Sequence, residues 1–212
     1  MPRRLALVAL AGALLLAGCF TGQRPYFTEG TALPTGGPTG DTAIDAVLDR
    51  FDKPSAGPVT ATYTVLTKYG NTTRPATVVL DPGKRSVTVG ITRFIQTETF
   101  AATCTIDGSV PCVDGFDAKR ISDTLLTVDF YAADAAKRLR RDAQAKIGPA
   151  VARTDVMASM PVTCVDVPVS GGTAVYCALD SGLVALIDDG DVRVSLDAYG
   201  AAADPAAFSL PG

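Results

Sequence analysis

Apolar and polar residues alternate along this chain with two different periods. Across residues 59–69, Ala61, Tyr63, Val65 and Tyr69 fall on one side, while Thr60, Thr62, Thr64 and Lys68 fall on the other. The same period of two returns in Val87, Val89 and Ile91 against Thr88, Gly90 and Thr92, and in Val192, Val194 and Leu196 against Arg193, Ser195 and Asp197. Strands with one apolar and one polar face belong to an antiparallel sheet that is wetted on one side. Turn chemistry punctuates them: Gly70-Asn71, Asp81-Pro82-Gly83-Lys84, Asp107-Gly108, Ser170-Gly171-Gly172, Asp180-Ser181-Gly182 and Asp188-Asp189-Gly190-Asp191. Glycine and asparagine accept positive φ, and proline presets the first corner of a turn. Strand-length runs between such turns predict a meander.

Two stretches change to the helical period. Asp41 reads as an N-cap, and Ile44, Val47, Leu48 and Phe51 then fall on one helical face until Pro54 and Gly57-Pro58 stop the helix. From Tyr131 to Ile147, Ala132, Ala135, Ala136, Leu139, Ala143 and Ile147 form a second stripe that Gly148-Pro149 ends. Its other face carries Lys137, Arg138, Arg140 and Arg141, the pattern of a solvated helix surface. The order is thus a helix, strands to about Val113, a connection without a readable pattern, a helix, and strands to about Tyr199. This predicts an α+β fold in which a curved antiparallel sheet, a half-barrel-like meander, packs against an N-terminal and a mid-chain helix. Residues 41–199 read as one β-rich domain, and 200–212 as a loose tail.

The chain begins differently. Pro2-Arg3-Arg4 precedes an uncharged apolar run from Leu5 to Ala17, which is the layout of a secretory signal peptide over residues 1–18. The run is too short to cross ~30 Å of hydrocarbon as a helix. It ends in Leu16-Ala17-Gly18-Cys19, which resembles the lipobox of bacterial lipoproteins. The resemblance implies lipid transfer to the Cys19 sulfur, cleavage before Cys19, and attachment to the outer face of the cytoplasmic membrane, with membrane lipid as the first partner. Residues 19–40, rich in Thr, Gly and Pro, read as a flexible tether.

Composition narrows the function. Two of the 19 Lys and Arg residues lie in the signal, so 17 remain against 22 acidic side chains, a net charge of −5 that argues against nucleic acid. With Cys19 assigned to lipid, Cys104, Cys112, Cys164 and Cys177 form an even set in an exported chain, which reads as two disulfides. Three pairings are possible. The local pairs Cys104–Cys112 and Cys164–Cys177 are favoured because each brackets a turn signal at its midpoint. Zinc is disfavoured by the lack of histidine and of C-x-x-C spacing.

The absence of histidine also removes Ser/His/Asp and Cys/His catalysis, and no phosphate-binding glycine loop follows a strand. The cluster Asp188-Asp189-Gly190-Asp191 reads as a hairpin turn in preference to a calcium loop, and Asp114, Asp117 and Asp123 show no spacing that fixes an acid–base pair. The expectation is a protein that is not an enzyme and needs no cofactor or metal.

The lipobox, the tether, the opening helix, the meander, the mid-chain helix and closing hairpins such as 174–186 together resemble actinobacterial membrane-anchored lipoproteins with LolA / LppX-LprAFG-like domains. That resemblance implies an apolar cavity between sheet and helices, open to an acyl chain. Its lining would be Ile44, Leu48, Phe51, Tyr63, Val65, Val87, Val89, Ile91, Val192 and Val194. Each of these also reads as ordinary core. Two functions follow: a carrier or binder of lipid or another apolar ligand, or a surface module that contacts a membrane or wall partner without a ligand. An enclosed cavity would favour the first, and a solid core the second.

Overall fold

The computed structural model describes residues 37–212 apart from 118, 121–124, 146 and 212. The signal segment, Cys19, most of the tether and Asp123 lie outside these described residues. Helix α1, Thr42–Phe51, starts where Asp41 accepts the N–H groups of Ala43 and Ile44 at 2.9 and 3.3 Å. The cap satisfies donors that have no partner within the helix, and the stripe of Ile44, Val47, Leu48 and Phe51 is buried.

Six strands follow: β1 Val59–Thr67, β2 Thr72–Asp81, β3 Lys84–Val89, β4 Thr92–Gln96, β5 Ala101–Thr105 and the two-residue β6 Val113–Asp114. After helix α2, Ala133–Gln144, come β7 Val151–Met157, β8 Met160–Val169, β9 Gly172–Leu179, β10 Val184–Asp188 and β11 Val192–Gly200. A single antiparallel sheet of 11 strands results, in the order β6-β5-β4-β3-β2-β1-β11-β10-β9-β8-β7. It is open, with β6 and β7 at its edges. Every neighbouring pair is a hairpin-like succession except β1 with β11, where the two halves of the chain meet. The α+β meander expected from the alternation is the fold observed.

The turns sit where their residues demand them. Gly182, at φ +79, shows why glycine is required in the β9–β10 hairpin: a Cβ there would lie 2.5 Å from the Arg50 carbonyl oxygen at the end of α1. One hairpin had no signal. Between β7 and β8, Ala158 and Ser159 both adopt positive φ (47° and 63°), a conformation their side chains disfavour and their identities do not announce.

Three apolar positions depart from the alternation. Tyr69 is 92% exposed because β1 ends at Thr67 and the residue belongs to the turn. Ile91, expected on the buried face with Val87 and Val89, is 58% exposed because it follows Gly90 into the β3–β4 turn, where alternation stops. Ile147 lies beyond the end of α2 and is also exposed.

Covering material divides the sheet into two wings, the first of β1 to β6 and the second of β7 to β11. Helices α1 and α2 pack on each other and on β8 and β9, in the second wing. The basic face of α2 is only partly solvated. Arg140 is 8% exposed and pairs with Asp52 at the end of α1, while Arg138 pairs with Asp134 and with buried Asp189. In the first wing the connection after β6 supplies the cover instead, with Leu126, Val128, Phe130 and Tyr131 buried in the main core. The rings of Phe130 and Tyr63 meet edge to face at 5.4 Å between centroids.

Residues 205–208 pack against the sheet within a stretch where a loose tail was expected. Asp204 caps a 3-10 turn, Pro205–Phe208, that contacts β3 and β4, and Phe208 is 8% exposed. Thr60 Oγ1 donates to the Ala202 carbonyl at 2.7 Å, which fixes the start of this strap. Thr60, on the face expected to be wetted, heads a row of residues opposed in register, Val79, Ser86, Ile95 and Ala102. From Val79 to Ala102 the row is buried.

Candidate functional site

Of the residues expected to line a cavity, all but Ile91 are brought together. Ile44, Leu48, Phe51, Tyr63, Val65, Val87, Val89, Val192 and Val194 belong to one continuous core with Phe130, Ala136 and Leu139. Side chains of the connection and of α2 pack against them, and smaller clefts of about 370 and 280 Å3 border Phe51 and Ile44 on this side. Tyr63 Oη has no hydrogen-bond partner among the described residues, and burial pushes its hydroxyl far above the usual tyrosine range.

Larger clefts are found on the other face. A cleft of about 450 Å3 opens between the sheet and the strap, with Thr60, Thr77, Ser86 and Thr88 on its floor and Pro75, Ile106, Ala206 and Ala207 at its walls. Its floor residues come from the polar side of the alternation in β1, β2 and β3. Arg93 supplies a cation whose Nε donates to Thr88 Oγ1 at 3.3 Å. Asp204 lines the same cleft but is engaged at Oδ1 by the Ala206 N–H at 2.9 Å. On the far side of the strap a second cleft of about 420 Å3 is bordered by Lys84, Phe100 and Phe208. Lys84 Nζ stands 5.9 Å from the centre of the Phe208 ring.

The cleft offers hydroxyls that donate and accept, one guanidinium, and small apolar walls. With Arg93 and Asp204 at its border it can hold a partner by hydrogen bonds and by charge. Sequence reasoning missed it because its floor is discontinuous along the chain. Asp204-Pro205, a cap followed by proline at the first helical position, was the signal for the strap.

The acidic cluster is structural. Asp189 Oδ1 accepts the N–H groups of Asp191 and Val192 at 2.8 and 2.9 Å, and Oδ2 pairs with Arg138 at 2.8 Å. Burial alone would raise its carboxyl, but the two N–H groups and the guanidinium outweigh this and hold it below the usual carboxylate value. Asp188 pairs with Lys68 at 2.8 Å. Arg138 and, at 3.9 Å, Arg141 thus tie the β10–β11 turn to α2, and Lys68 ties it to the end of β1. Among the described residues, no group of three or more Cys, Asp or Glu is placed to hold a metal ion. Asp117 is engaged by Arg120 at 3.5 Å, and Asp114 ends the short edge strand β6.

The cysteines pair as Cys104–Cys112 and Cys164–Cys177. Cys164 and Cys177 are directly opposed in the β8–β9 ladder, and Cys104 leaves β5 toward the loop that carries Cys112. A further tie joins helix and sheet: Tyr176 Oη donates to Asp142 Oδ2 at 2.6 Å, and burial together with that carboxylate raises the Tyr176 hydroxyl.

No family model matches this chain, and no curated protein does. Among solved structures, it is similar to MucB, at 12% identity and a TM-score of 0.45 over 78% of this chain and 61% of that one. It is also similar to MucB in complex with MucA(peri), at 11% identity and a TM-score of 0.42 over 78% of this chain and 58% of that one. The chain therefore spans about three fifths of the structures it resembles. No helix among the described residues is long and apolar enough to cross a membrane.

Proposed function

We propose that this chain is a non-catalytic binding module that works outside the cytoplasm, tethered by lipid on Cys19, and that it receives a protein partner in the cleft beside the strap. The observation that carries the reading is the state of the predicted cavity. Its lining is packed against Phe130, Ala136 and Leu139, whereas a cleft of about 450 Å3 lies on the opposite face. A floor of hydroxyls with one cation, walled by small apolar groups, has the mixed character of a non-obligate protein interface. The four core cysteines, paired as disulfides, fit an oxidising compartment outside the cytoplasm.

The test places a photo-crosslinking residue at Ile106 in the full chain in its native membrane. A discrete adduct that disappears with Arg93→Glu supports the cleft. No adduct at Ile106, or one indifferent to Arg93, contradicts it. The tether is read separately: Cys19→Ser moves the protein out of the membrane fraction if lipid holds it there, and leaves it in place if lipid does not.

A second reading keeps the apolar ligand. It is favoured by the irregular segment Leu126–Tyr131, whose Leu126, Val128, Phe130 and Tyr131 join the core, and by Tyr63, whose ring meets Phe130 and whose hydroxyl has no partner among the described residues. An acyl chain with a polar head would have to displace Phe130 to reach that hydroxyl. Uptake of a fluorescent fatty acid by the full chain, altered by Tyr63→Phe, would support this reading, and no uptake would remove it.

A further inference from the structure

The two edges of the sheet are unlike. Strand β6 has two residues, too few to template another chain, and β7 has seven, Val151–Met157, paired with β8 without a register shift. Its outward side is exposed, with Val151 at 58% and Val156 at 67%. A long, regular, bulge-free edge is the kind that pairs with a further strand unless something blocks it.

The ladder settles which groups point outward. Val156 is opposed to Pro161, which has no N–H, and the Val156 N–H donates to the Asp155 side chain at 2.8 Å. In an antiparallel pair a residue aims both its N–H and its C=O toward the partner or both away. Ala152, Thr154 and Val156 therefore turn theirs away from β8, and Arg153 and Asp155 turn theirs toward it.

Read outward from Thr154, the strand is complementary to itself. Antiparallel pairing about a two-fold axis at Thr154 sets Thr154 against Thr154, Ala152 against Val156, Val151 against Met157, and Arg153 against Asp155. The outward groups of 152, 154 and 156 then pair with each other, giving about six backbone hydrogen bonds. Arg153 and Asp155 fall at non-hydrogen-bonded positions, where opposed side chains stand closest. A register one residue away would put outward groups opposite inward ones. We propose that β7 is a self-association edge, and that a second copy of this chain continues the sheet across a two-fold axis at Thr154.

The charges are already in position. Within one chain Arg153 binds Asp155 at 2.8 Å and Asp166 at 3.1 Å, and the Asp155 carboxyl is held below its usual range by the Val156 N–H and by Arg153. In the dimer Asp155 takes the partner's guanidinium and frees the Val156 N–H for the new ladder. A single side chain thus covers the edge in the monomer and pairs across it in the dimer.

The test uses Thr154→Cys in the full chain, in its membrane, under mild oxidation. Thr154 meets its copy at a Cα separation of about 5.5 Å in a hydrogen-bonded pair, within reach of a disulfide. The expected result is a species of twice the mass that a reductant dissolves. Adding Arg153→Asp sets like charges across the axis and lowers the yield at least about tenfold. Adding Asp155→Arg to that variant swaps the pair and restores the yield. A Thr154→Cys chain that stays single, one that couples to a chain of another mass, a yield indifferent to Arg153→Asp, or a swap that stays uncoupled would each overturn the proposal.

Discussion

The two wings of the sheet use the same strand pattern and differ in what covers them. The second wing is covered by regular helices whose stripes and stops are written locally; Arg138 and Tyr176 tie it to α2, and Arg140 ties the two helices to each other. The first wing is covered on one face by an irregular connection and on the other by the returning C-terminus. Apolar strand faces must be buried, but the element that buries them need not have a period of its own. The first wing's cover is therefore the part that a ligand or partner can compete with at least cost in regular structure.

The comparison breaks most visibly at Phe130. If the connection is as much a part of the core as a helix, Phe130→Ala costs about 4 kcal/mol, comparable with about 3 kcal/mol for Leu139→Ala in α2. Chemical denaturation of both variants checks this, and a cost below ~1 kcal/mol for Phe130 would mark the connection as loosely held.

Next in size is the clasp of the second wing. Asp189→Asn leaves Arg138 without its buried partner and costs about 3 kcal/mol at neutral pH. Because the folded state holds the Asp189 carboxyl below 3.8, its contribution is complete above about pH 4 and is lost as pH falls through the lower folded value. The gap between wild type and Asp189→Asn in urea unfolding thus shrinks below about pH 4. A gap that stays constant down to pH 2 would show that the charge of Asp189 is not what stabilises the fold.

A smaller effect is expected at the strap, where Phe208→Ala costs about 2 kcal/mol and raises hydrogen exchange in β3 and β4 without reaching β8 or β9. The smallest is at Ile91, where replacement by Thr changes thermal stability by less than ~0.5 kcal/mol because the side chain is already in water. A large loss at Ile91 would return it to the buried face.

These differences match what was legible in the sequence. Helix α1 was readable because Asp41, the stripe from Ile44 to Phe51, and Pro54 agree on where it starts, faces and stops. The hairpins with glycine turns were readable, and so was the pairing of cysteines around two of those turns. The β7–β8 hairpin was not, since Ala158 and Ser159 adopt its turn under tertiary constraint. Ile91 was misplaced because period-two alternation does not reveal where a strand ends. Arg138 and Arg140 looked solvated because their partners, Asp189 and Asp52, are distant in sequence. The cleft was invisible for the same reason: it is made by a strap folding back over residues more than a hundred positions earlier.

In the proposed function the core between sheet and helices holds no ligand and binding occurs on the outside. Native mass spectrometry of the full protein released from its own membrane tests this most directly. The account predicts the mass of the chain plus covalent lipid at Cys19, with no further small molecule retained. A chain that carries one additional apolar molecule, lost on mild delipidation, would contradict it.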